Sequence, residues 1–316
     1  MSAEPPKVFT ALGGFFMKRD QRERPVFVWI LISIIIITLL LGSYESYTQK
    51  YVPDYSILSL LHNYGYLKEY PVIYEPSKGI WHPMGWIGSG MMIIMMLYSL
   101  RKRISVFSSL GLLRRWLTVH MFLGIMGPIF VTFHTTFKFS GIIATSYWSM
   151  IATMIFGILG RYIYVQIPRS IAGAEFKVQD IERIIQTIDS RLGEYSGSVN
   201  ITGLSKILDS VYKPTNDIGL IKALFYMFKT DIAISFKIYQ VNKILKKEYS
   251  LPWNVRRKID FLLKKKGALI RRKNLLNTSH RLLHYWHIVH IPLAIVMFLI
   301  MILHIFVYYL FRPTHA

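Results

Sequence analysis

The chain has 316 residues, 53% of them hydrophobic and 15% aromatic, with a formal net charge of +21 and no cysteine. The missing cysteine excludes disulfides, iron–sulfur clusters, thiolate zinc sites, cysteine nucleophiles and haem attached through C-x-x-C-H. A charge of +21 would suit a nucleic-acid partner, but the apolar residues gather into windows of about 20 with almost no charge, long enough to cross a hydrocarbon core of roughly 30 Å. The chain therefore reads as an all-α integral membrane protein, with no nucleic-acid partner expected.

Residues 1–25 are polar, with five Lys/Arg against three acids, and carry no signal-peptide pattern. Residues 26–165 hold four expected spans, at 26–44, 83–100, 117–137 and 142–165. Residues 166–279 form a basic segment that does not span, and 280–316 hold the fifth span, at 288–311. Loop 46–81 is neutral. Loop 101–116 carries five basic residues and no acid, and loop 138–141 is very short. Segment 161–281 carries 23 Lys+Arg against 10 Asp+Glu. This alternation gives a cytoplasmic N-terminus and an outer C-terminus by the positive-inside rule, most simply in a prokaryotic inner membrane.

Within 166–279 the stretch QDIERIIQTIDSRLGEY has apolar residues at helical spacing, and Gly197 and Pro214 punctuate the segment. The stretch 218–228, IGLIKALFYMF, is too short to cross and reads as an interfacial helix. Residues 255–273, VRRKIDFLLKKKGALIRRK, read as a basic amphipathic helix facing solvent or lipid, or docking a partner protein. The run MMIIMM at 91–96 reads as packing.

An unpaired imidazole nitrogen in hydrocarbon costs several kcal/mol, so histidines inside spans point to function. His120 and His134 lie fourteen residues apart in the third span, and His290 and His304 fourteen apart in the fifth. No other two of the ten histidines have this separation. Fourteen residues is four turns of a gently supercoiled helix, a rise of roughly 21 Å, so each pair shares a face. Both spans run the same way, so His120 is expected to meet His290 at the inner level and His134 to meet His304 at the outer level. Neither span contains an acid. Two facing imidazoles at each of two depths suit the iron of two non-covalent haems b.

Gly124 and Gly127 lie on the ligand face and would leave room for a flat macrocycle, or serve simple helix packing; Ala294 holds the offset of Gly124. Arg114, Arg115 and Arg281 lie at the inner ends, where they could pair with propionates or merely supply inside charge. His280, His284 and His287 lie just below the inner level, and Tyr285, Trp286 and His287 are candidates for a quinone site. His62 and His82 are expected to be structural, and His315 terminal. Trp81, Trp86, Tyr308 and Tyr309 read as interfacial belts.

The histidine pairs resemble those of transmembrane dihaem b-type cytochromes. Their placement on the third and fifth spans looks like the ferric reductase and NADPH oxidase membrane domain, and the spacing is similar to cytochrome b of the bc complexes. The resemblance implies a cytochrome b subunit of a respiratory oxidoreductase complex, relaying electrons between a quinol or cytoplasmic-side donor and an outer-side partner. The chain has no Pro-Glu-Trp-Tyr and no G-x-G-x-x-G, so separate donor and acceptor proteins are expected. The competing expectations are a ferric or quinone reductase using the outer haem directly, a proton-relay transporter subunit, and a scaffold with structural haem.

Overall fold

The computed structural model describes residues 25–67, 74–104, 106, 110–111, 113–168, 176–195, 219–247 and 252–311. Among them the chain is helical throughout, with no strand. Five helices are long and apolar enough to span a membrane. Gly197, Pro214 and His315 lie outside the described residues.

The chain divides into two compact units. The first to be considered contains residues 22–159 and 288–316. Helix α1, Pro25–Tyr51, is about two turns longer than its apolar run suggests. It is followed by a 3-10 turn at Pro53–Tyr55 and the short helix α2, Ile57–Asn63. Most of α1's large apolar side chains are exposed, as a helix bathed in lipid requires. The second span is interrupted: α3 covers Trp81–Met95 and α4 covers Leu97–Arg103. Helix α5, Leu113–His134, ends on its second histidine. It is stopped there by Thr136 and Phe137, both at positive φ (48° and 59°), a conformation costly for a β-branched residue.

Helix α6 is Gly141–Gln166, and α10, Leu276–Leu310, is the last. Glycines set the contact between α3 and α5. A Cβ added to Gly127 would lie 3.1 Å from the carbonyl oxygen of Gly88, and one added to Gly88 would lie 2.8 Å from that of Gly127. Small residues let the two backbones touch where lipid gives no hydrophobic drive to associate. Met92, Tyr147, Met150, Met297 and Met301 fill the mid-depth of this unit, and Met91 packs with Trp81, Met126 and Phe133. Of the run 91–96, Met91, Met92 and Met95 are packing material, whereas Ile93, Ile94 and Met96 are exposed.

The other unit spans residues 160–287. Helices α7 (Val178–Gly193), α8 (Leu220–Lys247) and α9 (Trp253–Asn274) share one aliphatic core built on Ile181, Ile188, Val241, Leu245, Ile259 and Leu263. Residues 220–228 are the start of a 28-residue helix, Leu220–Lys247, with one face buried. Helix α9 is not a free basic surface: Lys266 is buried and donates to Asp189 at 2.6 Å, and Arg271 is buried with Asp231 and Gln166 as partners. Charge composition marks a helix as basic, but the apolar stripe at 259, 262, 263 and 269 decides which face turns inward. Gly267 gives Ile234 its place, since an added Cβ would meet the isoleucine Cδ1 at 2.9 Å.

Candidate functional site

His120 and His134, on one face of α5, meet the same kind of partner. The Nδ1 of His134 is 2.9 Å from the carbonyl oxygen of Trp81, and the Nδ1 of His120 is 3.0 Å from that of Met95. Trp81 and Met95 are themselves fourteen residues apart, so antiparallel α3 repeats the spacing of α5. The Gly88–Gly127 contact lies seven residues from each of these bonds along both helices.

Carbonyls inside a helix are normally taken by the N–H four residues on, and each end of α3 offers one to a histidine in a different way. At the His134 end, residue 85 is glycine; an added Cβ would come within 2.8 Å of the imidazole ring. Only a bare backbone lets the ring reach the Trp81 carbonyl. At the His120 end the helix breaks at Met96. The N–H of Ser99 donates to Met96 O at 2.9 Å rather than reaching back four residues to Met95. The carbonyl of Met95 takes the histidine instead.

With Nδ1–H donated to a carbonyl, the remaining lone pair of each imidazole is on Nε2. This is the form in which histidine acts as a metal ligand, because the outer bond fixes tautomer and ring orientation. Transmembrane hydrogen bonds average only about 0.6 kcal/mol. The glycine contact therefore holds the helices together, and the histidine bonds aim the rings.

The two ends have different surroundings. His134 is within electrostatic reach of His304 and of His82, whose ring centroid is 6.3 Å away. His82 also lies 5.2 Å from the ring of Tyr308. Behind this group stands a polar network. The buried carboxylate of Glu45 accepts from Ile57 N at 2.7 Å and Gln49 Nε2 at 2.8 Å, and Gln49 Oε1 accepts from the indole N–H of Trp81 at 2.9 Å. Ser46 and Tyr74 are bonded to each other, and Tyr74 lies edge-on to Trp81. At the other end the His120 ring lies 5.0 Å from Tyr98, and Met95, whose carbonyl accepts from it, packs against the methionine core. His290 is 3.8 Å from the position of a Cβ on Gly157 of α6.

The other residues singled out from sequence fall as follows. Gly127 meets Gly88 and Met92, and Gly124 meets the Met95 sulfur at 3.4 Å, so both look toward α3. Their small size serves helix contact here. Arg114, Arg115 and Arg281 are exposed. His287, in the other unit, is exposed and bonds to Leu283 O of its own helix at 2.8 Å; Tyr285 is exposed. Trp286 packs on Gly160 of α6, which must be glycine to admit the indole. His62 is half-buried.

Two features were not anticipated. His82, expected only to be structural, stands beside His134 at the same end of a neighbouring span. Glu45 lies past the last residue of the expected first span, and nothing local marks it as buried. Among the described residues no three His, Asp or Glu side chains are grouped to hold a metal ion. Comparison of the chain with protein-family models, with curated proteins and with solved structures finds no match in any of the three.

Proposed function

We propose that the chain is a membrane electron-transfer subunit that holds two haems b, each through two histidines. His120 and His290 supply the ligands at one level and His134 and His304 at the other. The observation that carries this reading is the repeated bond of Nδ1 to a backbone carbonyl at both levels of α5. It leaves two Nε2 ligands fourteen residues apart on one helix face. A metal gripped by only two histidines must bring its other ligands with it, as an iron porphyrin does.

Bound haem supplies one-electron redox chemistry at each level. The chain's contribution is orientation and exclusion of water. The bonds to Met95 and Trp81 fix the ring planes, and the methionines keep the mid-depth dry. Electrons would pass between a quinol or cytoplasmic-side donor and an outer-side partner. Moving one electron across the full membrane is worth roughly 2.3 kcal/mol per 100 mV, in the direction the field favours. Under the positive-inside rule the basic segment 160–287 would be cytoplasmic and α5 would run from inside to outside, with His134 toward the outer face.

A second reading, a reductase that delivers electrons directly from the outer level, draws on one observation. His82 and Tyr308 give the His134 level proton-carrying groups that a simple wire does not need.

The test is a reduced-minus-oxidised spectrum of the purified chain with pyridine haemochrome quantitation. Two haems per chain are expected, with His120→Ala and His134→Ala each losing one. A colourless protein from cells with ample porphyrin would end this reading.

A further inference from the structure

Helix α8 has two apolar faces, and among the described residues one is buried and the other largely exposed. Ala223, Met227, Ile234, Ile238, Val241 and Leu245 are buried at helical spacing. On the opposite side Ile221, Phe225, Phe228, Ile232, Phe236 and Tyr239 are between 40 and 87% exposed. These six follow one another at intervals of three or four residues, an unbroken stripe roughly 27 Å long at 1.5 Å per residue. A contiguous exposed strip of large apolar side chains marks an interaction surface.

The charge beside the stripe is of one sign. Lys222, Lys229, Lys243, Lys246 and Lys247 are exposed on the same helix. The only acid within α8, Asp231, is turned away into a bond from Tyr162 and an ion pair with Arg271. Large apolar residues flanked by lysines are the pattern of a helix that lies in the plane of an anionic membrane surface.

The packing of α8 sets its depth. Tyr162 is one turn from the end of α6. Its ring stacks on Phe228 at 4.2 Å and 3°, and its hydroxyl donates to Asp231. Ala223 and Met227 share a small core with Ile163 of α6, with Leu275 just before the last helix and with Leu282 near its start. The first half of α8 is therefore fastened where two membrane-spanning helices meet their polar boundary.

We infer that the exposed face of α8, from Ile221 to Tyr239, is seated in the interfacial zone of the membrane leaflet at which α6 ends and α10 begins. Its aromatic and isoleucine side chains are buried at the level of the headgroups, and its lysines contact anionic lipid. The inference does not depend on haem: a chain that binds none would keep this surface.

The cysteine-free sequence makes the test direct. Single variants Phe225→Cys, Ile232→Cys, Phe236→Cys and Lys243→Cys of the full chain are labelled with an environment-sensitive nitrobenzoxadiazole. They are reconstituted into phosphatidylcholine vesicles with and without phosphatidylglycerol. All four positions are exposed, so folding tolerates them. Labels at 225, 232 and 236 are expected to be quenched severalfold more by doxyl-labelled lipid than by aqueous iodide, and the label at 243 the reverse. Phosphatidylglycerol should deepen the first three, and Lys222→Gln with Lys229→Gln should remove that response. Iodide quenching at all three apolar positions would overturn the inference. So would shielding from both quenchers, which would mean a covering protein, either a second copy or another partner. Depths indifferent to phosphatidylglycerol would overturn its anionic component.

Discussion

The two ends of the α3–α5 pair perform one task by different means. At the His134 end a glycine strips the backbone so that a ring can reach the Trp81 carbonyl. At the His120 end a helix break hands over the Met95 carbonyl. One end is backed by a buried carboxylate, an amide and an indole in series; the other is backed by methionine. Under the proposed function this difference sets the two irons in unlike electrostatic surroundings, which is how one ligand type yields two potentials.

Three substitutions break the comparison in turn, and a fourth leaves it intact. Gly127→Leu drives a side chain into Gly88 and Met92 and separates the helices at their point of closest approach. Overpacking of this kind costs about 1–3 kcal/mol or more. Haem content per chain is expected to fall toward zero, read by pyridine haemochrome. Gly85→Ala acts on one end only. Its Cβ displaces the His134 ring, so about half the haem should be lost, with the surviving spectrum matching that of His134→Ala.

Gln49→Leu leaves both haems in place but orphans the Trp81 indole and one contact of Glu45. An unsatisfied buried donor costs about 1–3 kcal/mol. A lower melting temperature is expected, with a shifted midpoint for one haem and an unchanged midpoint for the other. A shift of both would erase the distinction between the ends. Asp189→Ala removes the carboxylate paired at 2.6 Å with buried Lys266 in the other unit, one of the contacts that lysine makes. It should lower that unit's stability by about 1–3 kcal/mol, seen as faster backbone amide exchange in α7 and α9, with haem content untouched.

The spans were legible because hydrocarbon permits few alternatives: a stretch of about 20 uncharged residues must be helical and must satisfy its own backbone. The histidine separation was legible for the same reason, since a polar letter in an apolar run stands out. Their partners were not. A backbone carbonyl has no letter of its own, and the features that open it, Gly85 and the break at Met96, are common in any membrane helix. Gly127 was legible as a small residue but not as to what it faces, because one helix face can admit a macrocycle or a neighbouring backbone equally well. The burial of Lys266 and Arg271 was hidden because both depend on acceptors, Asp189 and Gln166, that are distant in sequence. Glu45 was hidden because α1 outruns its apolar stretch.

The glycine contact between α3 and α5 has a mechanical consequence. Two stiff rods whose backbones come closest at their middle can rock as a balance beam, with the Gly88–Gly127 contact as fulcrum and a histidine clasp at equal distance on each arm. A tilt that slackens one clasp must tighten the other. Whatever pulls on the ring of His134 is thereby felt, with opposite sign, at His120, four helical turns away.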